Sequence, residues 1–139
     1  MAYHASTLHI STRGKNDIHD LTGRVEELVR KSKTENGTAT VFVPGSTAGI
    51  TTIEFESGVV DDLKRAIERL VPSDMHYDHD VRWGDGNGYA HVRAALLGPS
   101  LSVPIVNGRL QLGTWQQIIL VDFDNRPRER EVVVQVAGE

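Results

Sequence analysis

Alternation of polar and apolar positions near the start of the chain predicts a β-strand. Across Ser6–Thr12, Leu8 and Ile10 fall on one face and polar residues on the other, a pattern typical of a strand at the edge of a sheet. Further along, the apolar residues recur at helical spacing. These residues are Ile18, Leu21, Val25, Leu28 and Val29. We therefore expect an amphipathic helix that is capped by Asn16 or Asp17.

The middle of the chain predicts two strands and a second helix. The segments Thr38–Val43 and Ile50–Phe55 are rich in β-branched residues, and the polar segment 44–49 between them contains proline and glycine, as turns do. Apolar positions then return at helical spacing, opposed by charged residues, until Pro72 ends the pattern. The apolar positions of this helix are Val60, Leu63, Ile67 and Leu70. We expect this helix to cover one face of a sheet.

The periodic pattern is lost between Pro72 and Asn87, which predicts a long loop, and Tyr89–Leu97 then suits a short helix. Loops of this length are uncommon in compact domains and often carry function. The last third of the chain predicts four strands, and the Asn107-Gly108 dipeptide favours a type I′ turn between the first two. The predicted strands are Leu101–Val106, Arg109–Leu112, Trp115–Phe123 and Glu131–Ala137.

The order of these elements predicts the fold class. Strands and helices do not alternate regularly, which favours an α+β fold with mixed or antiparallel sheets packed against two to three helices. A length of 139 residues suits one domain, and neither a repeat nor a linker divides residues 1–139. Hydrophobic residues make up 39% of the chain and charged residues 24%, so the chain has the composition of a compact globular protein.

Charge and composition exclude several classes of partner. The net charge of −4 and the lack of a Lys/Arg cluster argue against a nucleic-acid partner. The N-terminus lacks the apolar stretch of a signal peptide, and no apolar run approaches the ~20 residues of a membrane span, so we expect a cytoplasmic protein without a membrane partner. Because the chain has no cysteine, any metal must be held by His, Asp or Glu.

Most residues that can carry chemistry lie in the long predicted loop and the helix after it. His79, Asp80 and His91, with Asp85 and Asn87 between them, combine imidazole, carboxylate and amide groups in a glycine-rich segment. Two neutral imidazoles and a carboxylate suffice to bind a divalent metal or to act as acid and base. A solvated loop followed by a helix-capping asparagine explains the same residues equally well.

The predicted turn between the two central strands offers a second group of candidates. Ser46, Thr47, Gly49 and Thr51 supply hydroxyl groups and unobstructed backbone N–H groups that suit a phosphate or carboxylate, although the lysine of a P-loop is absent. An ordinary turn explains this segment as well. Glu54 follows in the second strand, where it is either a solvent-facing residue or a ligand or base.

Two further candidates lie near the start of a predicted strand in the last third. Trp115 and Gln116 pair a large aromatic ring with an amide, which suits the lining of a small-molecule pocket or a subunit interface, whereas core packing is the alternative for the tryptophan.

Arg93, on the short predicted helix, supplies a cation that can pair with a phosphorylated small molecule.

Residues 100–108 and 113–118 closely resemble the signature of the YjbQ-like family, whose members are also described as secondary thiamine-phosphate synthase. Other family-like blocks occur in the right order, so that the resemblance covers nearly the whole chain. These blocks are Ser46–Thr51 with Glu54, Val60–Leu63, His79-Asp80, Asn87–His91 and Ala94–Ser100.

The resemblance implies a compact α+β fold that assembles as a homotrimer, with a site built from the threonine-rich turn, the His-Asp pair and the helix that carries His91. It also implies a weak ability to join a pyrimidine pyrophosphate to a thiazole phosphate, which gives thiamine phosphate. The chain departs from many relatives at Gly45, where they carry histidine, and at Ile53, where they carry asparagine. His79, His91 and Glu54 remain as a two-histidine, one-carboxylate set for Mg²⁺ or Zn²⁺.

These observations leave three functions open. The first is a transferase that acts on phosphorylated small molecules, with His79, Asp80, His91 and Glu54 as catalytic residues. The second is a trimeric protein that binds a small ligand or metal without turnover, and the third is a metal-assisted phosphohydrolase. The expected ligand-binding residues are Ser46, Thr47, Gly49, Thr51, Asn87, Arg93, Trp115 and Gln116.

Overall fold

The computed structural model describes residues 1–139, which form eight strands and four helices. The strands are β1 (Ala2–Thr12), β2 (Asp17–Asp20), β3 (Gly37–Phe42), β4 (Ala48–Ile53), β5 (Ser100–Val106), β6 (Arg109–Leu110), β7 (Gln117–Asp122) and β8 (Arg128–Gly138). The helices are α1 (Thr22–Ser32), α2 (Ser57–Leu70), α3 (Asp78–Trp83) and α4 (Gly88–Leu97).

The strands form two sheets in which every pair of neighbours is antiparallel. The larger sheet has the order β1-β8-β3-β5-β6, and the smaller has the order β2-β7-β4. The predicted α+β class is therefore confirmed, as is the edge position of β1, but four helices are present instead of two to three. The additional helix is α3.

Strand β7 lies at the centre of the fold because both of its faces are buried. Ile118 and Leu120 join the main core between the two sheets, together with residues of β1, β3, β8 and α1. Ile119 and Val121, on the opposite face, join a second core with residues of α4. Burying one such side chain fully stabilises the fold by about 1.5–3 kcal/mol. Because its two faces belong to different cores, β7 joins the large sheet on one side to the helices on the other.

Helices α2 and α4 close the outer side of the smaller sheet. Leu63 and Ile67 of α2 pack at the margin of the second core, as the predicted helical pattern requires. Glu56 caps α2 by accepting hydrogen bonds from the backbone N–H groups of Gly58 and Val59. None of the four helices combines the length and the apolar character needed to cross a membrane.

The predicted start of the first helix is wrong. Residues 17–20 form β2, in which Ile18 pairs with Val121 of β7, and the helix begins only at Thr22. The side chain of Asp17 does not cap the helix, since it accepts a hydrogen bond from the backbone N–H of Arg13. The three-residue spacing from Ile18 to Leu21 fits a helix as well as a strand followed by a turn, and pairing with β7 selects the strand.

The segment predicted as a long loop contains α3, which the sequence pattern did not predict. Two strand predictions in the last third were too long, because β6 ends at Leu110 and β7 begins at Gln117. The turn between β5 and β6 has the predicted character: Asn107 and Gly108 both have positive φ, 52° and 76°, as a type I′ turn requires.

Candidate functional site

Three side chains that can bind a cation lie together at α3. His79 and Asp80 belong to the helix, and Asp85 lies in the turn after it. The Nδ1 atom of His79 is 3.4 Å from Oδ1 of Asp80 and 3.4 Å from Oδ1 of Asp85. One ligand atom from each residue lies within 4.8 Å of the other two, and all three side chains are accessible to solvent. We call these residues the His79 cluster.

Hydrogen bonds from neighbouring elements fix the His79 cluster. Oδ1 of Asp80 accepts from the backbone N–H of Gly88 at 2.8 Å, which ties α3 to the start of α4. The buried side chain of Asn87 accepts from the backbone N–H of Asn125 at 3.0 Å. The side-chain amide of Asn125 in turn donates to the carbonyl oxygen of Asp85 at 2.8 Å. Asn87, a predicted ligand residue, thus anchors the turn that carries Asp85.

His91 lies beside the cluster on α4. Its ring centroid is 4.5 Å from that of His79, with the two planes tilted by 41°, and its imidazole has no hydrogen-bond partner within the chain. The imidazole lines a cleft of about 330 Å³, which we call the His91 cleft. The residues of this cleft are Gly45, Ser46, Ala48, His91, Ala94, Ala95 and Pro99.

The turn before β4 presents hydrogen-bond donors at the His91 cleft. The backbone N–H groups of Gly45, Ser46 and Thr47 have no acceptor within the chain, and the hydroxyl group of Ser46 has no partner either. The hydroxyl of Thr47 is buried, donates to Asp124 at 2.9 Å and accepts from Arg130 at 2.6 Å. The turn therefore offers backbone groups and one serine to a ligand, while the threonine side chain anchors the turn.

A buried ionic network, which was not predicted from the sequence, lies behind this turn. Asp122 is fully buried and accepts from Nε of Arg130 at 2.7 Å, from Nη2 of Arg130 at 2.9 Å and from the hydroxyl of Thr12 at 2.5 Å. Its Oδ1 also accepts from the backbone N–H of Asp124 at 3.0 Å. The network joins β1, β7 and β8 to the turn before β4.

Asp124 extends this network to the surface. Burial alone would raise the pKa of its carboxyl group, but hydrogen bonds from Thr47 and Arg128 outweigh burial and hold the pKa below its usual value. A sequence signal for the network exists: Asp122 and Asp124 are two residues apart at the end of one strand, and Arg128 and Arg130 are two apart at the start of the next. Because a short turn joins the two strands, the aspartates and the arginines come close together on either side of it.

The structure corrects the role expected of Arg93. The side chain is only 3% exposed, and all three nitrogens of its guanidinium group donate within the chain. Nε donates to the carbonyl oxygen of Val71 at 3.0 Å, Nη1 donates to Oδ1 of Asn16 at 3.0 Å, and Nη2 donates to Glu68. Arg93 therefore ties α4 to α2 and to the segment before β2, and its burial within these contacts does not suit the binding of a phosphate.

Gly49 also has a packing role in place of the expected ligand contact. A Cβ atom at this position would lie 2.7 Å from the side chain of Leu97 and 2.9 Å from the carbonyl oxygen of Gly98. Real Cβ atoms do not approach neighbours so closely. The glycine allows the end of α4 to lie directly against β4, and this contact helps to shape the His91 cleft.

Thr51 and Gln116 line a different cleft, of about 360 Å³, between β4 and β5. Gln116 accepts from the backbone N–H of Gly113 at 2.9 Å and donates to the hydroxyl of Thr52 at 3.3 Å, so its amide closes the preceding turn. Trp115 is 74% exposed, which excludes core packing for this side chain within one chain. The structure does not bring these residues to the His91 cleft.

The expected metal set of His79, His91 and Glu54 is not assembled within one chain. Glu54 follows β4 at the end opposite to Ala48, which lines the His91 cleft. The carboxylates beside His79 are instead the two aspartates of the His79 cluster, and His91 contributes no ligand atom to that group. The sequence brought the histidines and Asp80 together correctly, but the carboxylate from β4 does not belong to this group.

Comparison with known proteins identifies relatives along the whole length. The sequence pattern of the family described as "UPF0047 protein YjbQ-like" matches residues 6–139. A UPF0047 protein of Methanothermobacter thermautotrophicus is 37% identical over 139 residues, which cover 100% of this chain and 95% of that protein. A UPF0047 protein of Synechocystis is 39% identical over 138 residues, which cover 98% of this chain and 92% of that protein.

Solved structures show the same fold. A YbjQ-like protein of unknown function from Sulfolobus solfataricus superposes with a TM-score of 0.94 and is 33% identical, with 99% of each chain covered. A hypothetical protein from Aeropyrum pernix gives a TM-score of 0.91 at 33% identity, with 98% of this chain and 99% of that chain covered. The arrangement of sheets and helices described above is therefore shared across these proteins.

Proposed function

The chain belongs to the YjbQ-like UPF0047 family, and on that premise we propose that it is a transferase acting on phosphorylated small molecules. The observation that carries this proposal is the His91 cleft, in which an imidazole without a hydrogen-bond partner shares one wall with unpartnered backbone N–H groups. Backbone N–H groups in a turn suit phosphoryl oxygens, and a free imidazole suits proton transfer. One cleft thus combines a binding function with a catalytic one.

The reaction favoured by the family resemblance joins a pyrimidine pyrophosphate to a thiazole phosphate. In that reaction a C–N bond forms at the thiazole ring, the C–O bond to pyrophosphate breaks, and the electron pair leaves with the pyrophosphate. The N–H groups of Gly45, Ser46 and Thr47, with the Ser46 hydroxyl, would bind phosphoryl oxygens. His91 would orient the acceptor or donate a proton to the leaving pyrophosphate. Positioning of this kind lowers the barrier without a covalent intermediate.

The donor set of the His79 cluster fits a divalent cation. One imidazole nitrogen and two carboxylate oxygens are suitable ligands for Mg²⁺, Mn²⁺ or Zn²⁺, and their ligand atoms lie within 4.8 Å of one another. When bound, a cation of this kind supplies positive charge that stabilises a leaving pyrophosphate. His79, Asp80 and Asp85 would hold it, and the hydrogen bonds from Gly88 and Asn125 keep the aspartates in place.

We also propose that the protein assembles as a homotrimer. Large apolar side chains are exposed on the single chain, including Leu70 of α2, Leu96 of α4 and Trp115. An apolar groove of about 190 Å³ between α2 and α4 adds to this surface. Because the family resemblance implies three copies, sedimentation equilibrium of the purified protein should give three times the chain mass of 15.3 kDa, and a mass of one chain would contradict the assembly.

The transferase proposal is tested by measuring thiamine phosphate formation from the pyrimidine pyrophosphate and the thiazole phosphate, with and without Mg²⁺. His91→Ala should lower the turnover rate by about 10²–10⁴-fold, the usual contribution of a positioned acid or base. His9→Ala is the matched control, because His9 is an exposed histidine on β1 whose contact is Glu131. This control should retain the wild-type rate.

Two results would reject a transferase site that contains His91. Equal turnover in wild type and His91→Ala would remove His91 from the chemistry, and absence of turnover in the wild type would favour a binding protein that uses the same cleft. Chelator-sensitive hydrolysis of common phosphoesters, without thiamine phosphate formation, would instead support the metal-assisted phosphohydrolase.

A further inference from the structure

The guanidinium group of Arg130 has one nitrogen that the fold does not use. The side chain is 9% exposed, and Nε and Nη2 are held by Asp122 and Thr47 through bonds of 2.6–2.9 Å. Nη1 has no hydrogen-bond partner within the chain. Since no fully buried side-chain nitrogen or oxygen lacks a partner, Nη1 must be accessible at the surface. A nearly buried, rigidly held arginine thus exposes a single donor nitrogen.

This nitrogen lies directly beside Gly45. A Cβ atom on Gly45 would be 2.9 Å from Nη1 of Arg130 and would meet no other heavy atom within 4 Å. The glycine itself is exposed, has a φ of 130° and lines the His91 cleft. The missing side chain therefore leaves open the space above Nη1, at the point where the unpartnered backbone N–H groups begin.

We propose that Arg130 is the cationic ligand of a phosphoryl-binding site formed with the backbone of Gly45–Thr47. The proposal rests on the proposed transferase function and assigns the phosphate-bearing end of its substrate to this turn. Guanidinium N–H groups and consecutive backbone N–H groups are both strong donors to phosphate oxygens. Arg93, the arginine expected from the sequence to bind phosphate, instead has each of its three guanidinium nitrogens bonded within the chain.

The charges around Arg130 fit recognition by directed hydrogen bonds. Asp122 balances the charge of Arg130, and Arg128 balances Asp124, so the four groups together carry no net charge. A buried cation without such balance would strongly destabilise the fold. Glu129 and Glu131 are exposed neighbours of Arg130 on β8, and the three residues line a cleft of about 270 Å³ together with His9 and Pro44. The site thus relies on the geometry of its donors, because no excess positive charge surrounds it.

Titration of the isotope-labelled wild-type protein with inorganic pyrophosphate, followed by NMR, tests this site directly. We expect the backbone amide signals of Gly45, Ser46 and Thr47 and the side-chain signals of Arg130 to shift together. Arg130→Lys keeps a positive charge for Asp122 but loses the planar group that contacts Asp122 and the phosphoryl group at the same time. The pyrophosphate dissociation constant should therefore rise by at least about 10-fold, the effect of ~1.4 kcal/mol. Arg65→Lys is the matched control, because Arg65 lies on α2 and forms an exposed ion pair with Asp62; this variant should bind pyrophosphate with wild-type affinity.

Three outcomes would overturn the site. They are shifts confined to other residues, no saturable binding of pyrophosphate, and wild-type affinity in a folded Arg130→Lys variant. If that variant does not fold, the wild-type titration decides, because saturable shifts of Gly45, Ser46 and Thr47 that leave out the side-chain signals of Arg130 would also reject the site. Pyrophosphate binding at Gly45–Thr47 without thiamine phosphate formation would support the site and reject the transferase, whereas turnover without these shifts would do the reverse.

Discussion

Asp122→Asn is expected to lower the free energy of unfolding by about 3–5 kcal/mol, the usual cost of removing one partner from a buried ion pair. Asp122 is fully buried, and both of its carboxylate oxygens accept from Arg130. The neutral amide would leave the guanidinium group without a balancing charge and would direct its own N–H groups at other donors. The hydroxyl of Thr12 would also lose a strong acceptor.

Urea unfolding followed by circular dichroism measures this loss. Asp62→Asn is the matched control, since Asp62 forms an exposed ion pair with Arg65 on α2, and pairs of that kind contribute about 0–1 kcal/mol. A loss of stability in Asp122→Asn no greater than in Asp62→Asn would show that the buried pair does not stabilise the fold, and it would weaken the case that Arg130 is held rigidly.

His79→Ala is expected to weaken divalent-cation binding by more than about 10-fold. His79 supplies the one nitrogen of the His79 cluster, at 3.4 Å from each aspartate oxygen. Loss of a residue that only hydrogen-bonds to a metal ligand typically costs 10–100-fold in metal affinity, and loss of a ligand should cost no less. The remaining aspartates would still attract cations, so we expect weaker binding and a lower preference for Zn²⁺ over Mg²⁺.

Isothermal titration with Zn²⁺ and with Mg²⁺ measures these affinities without reference to turnover. His76→Ala is the control, because His76 lies three residues before His79, contacts only the exposed Asp78 and does not belong to the cluster. Unchanged Zn²⁺ affinity in His79→Ala, or an equal loss in both variants, would reject the His79 cluster as the cation site.

The sequence predicted most of the fold where a local pattern and its packing agree. Leu63 and Ile67 of α2 pack against the second core, and Tyr89–Leu97 nearly matches α4. The turn at Asn107-Gly108 followed from the φ preferences of those two residues. In these cases the residues that favour the helix or the turn by their own conformational preferences also suit its surroundings in the folded structure.

Predictions failed where distant residues decide the local structure. Ile18 belongs to β2 because Val121 pairs with it, and nothing near Ile18 in the sequence encodes that partner. Helix α3 is only six residues long and has no buried residue, so it leaves no apolar pattern. Its first turn contains acidic residues, and Gly84, with a φ of 68°, follows its last residue. These two features are the sequence signals of the helix.

The site was predicted in part for the same reason. His79, Asp80 and His91 are near in sequence and lie together in the structure. Arg130 is 85 residues from Gly45, the glycine at its free nitrogen, and Asn125 is 40 residues from the aspartate it holds. Sequence order gives no indication of such contacts, whereas the alternating charges at the ends of β7 and β8 would have indicated a polar network there.

The connection between β7 and β8 holds both parts of the candidate site. Asn125 in this connection fixes Asp85, while Arg130 near the start of β8 fixes the Gly45–Thr47 turn. Any local opening that frees the connection would release Asp85 and the turn in the same event. The two parts should therefore share one rate of hydrogen exchange, and loosening one of them would loosen the other.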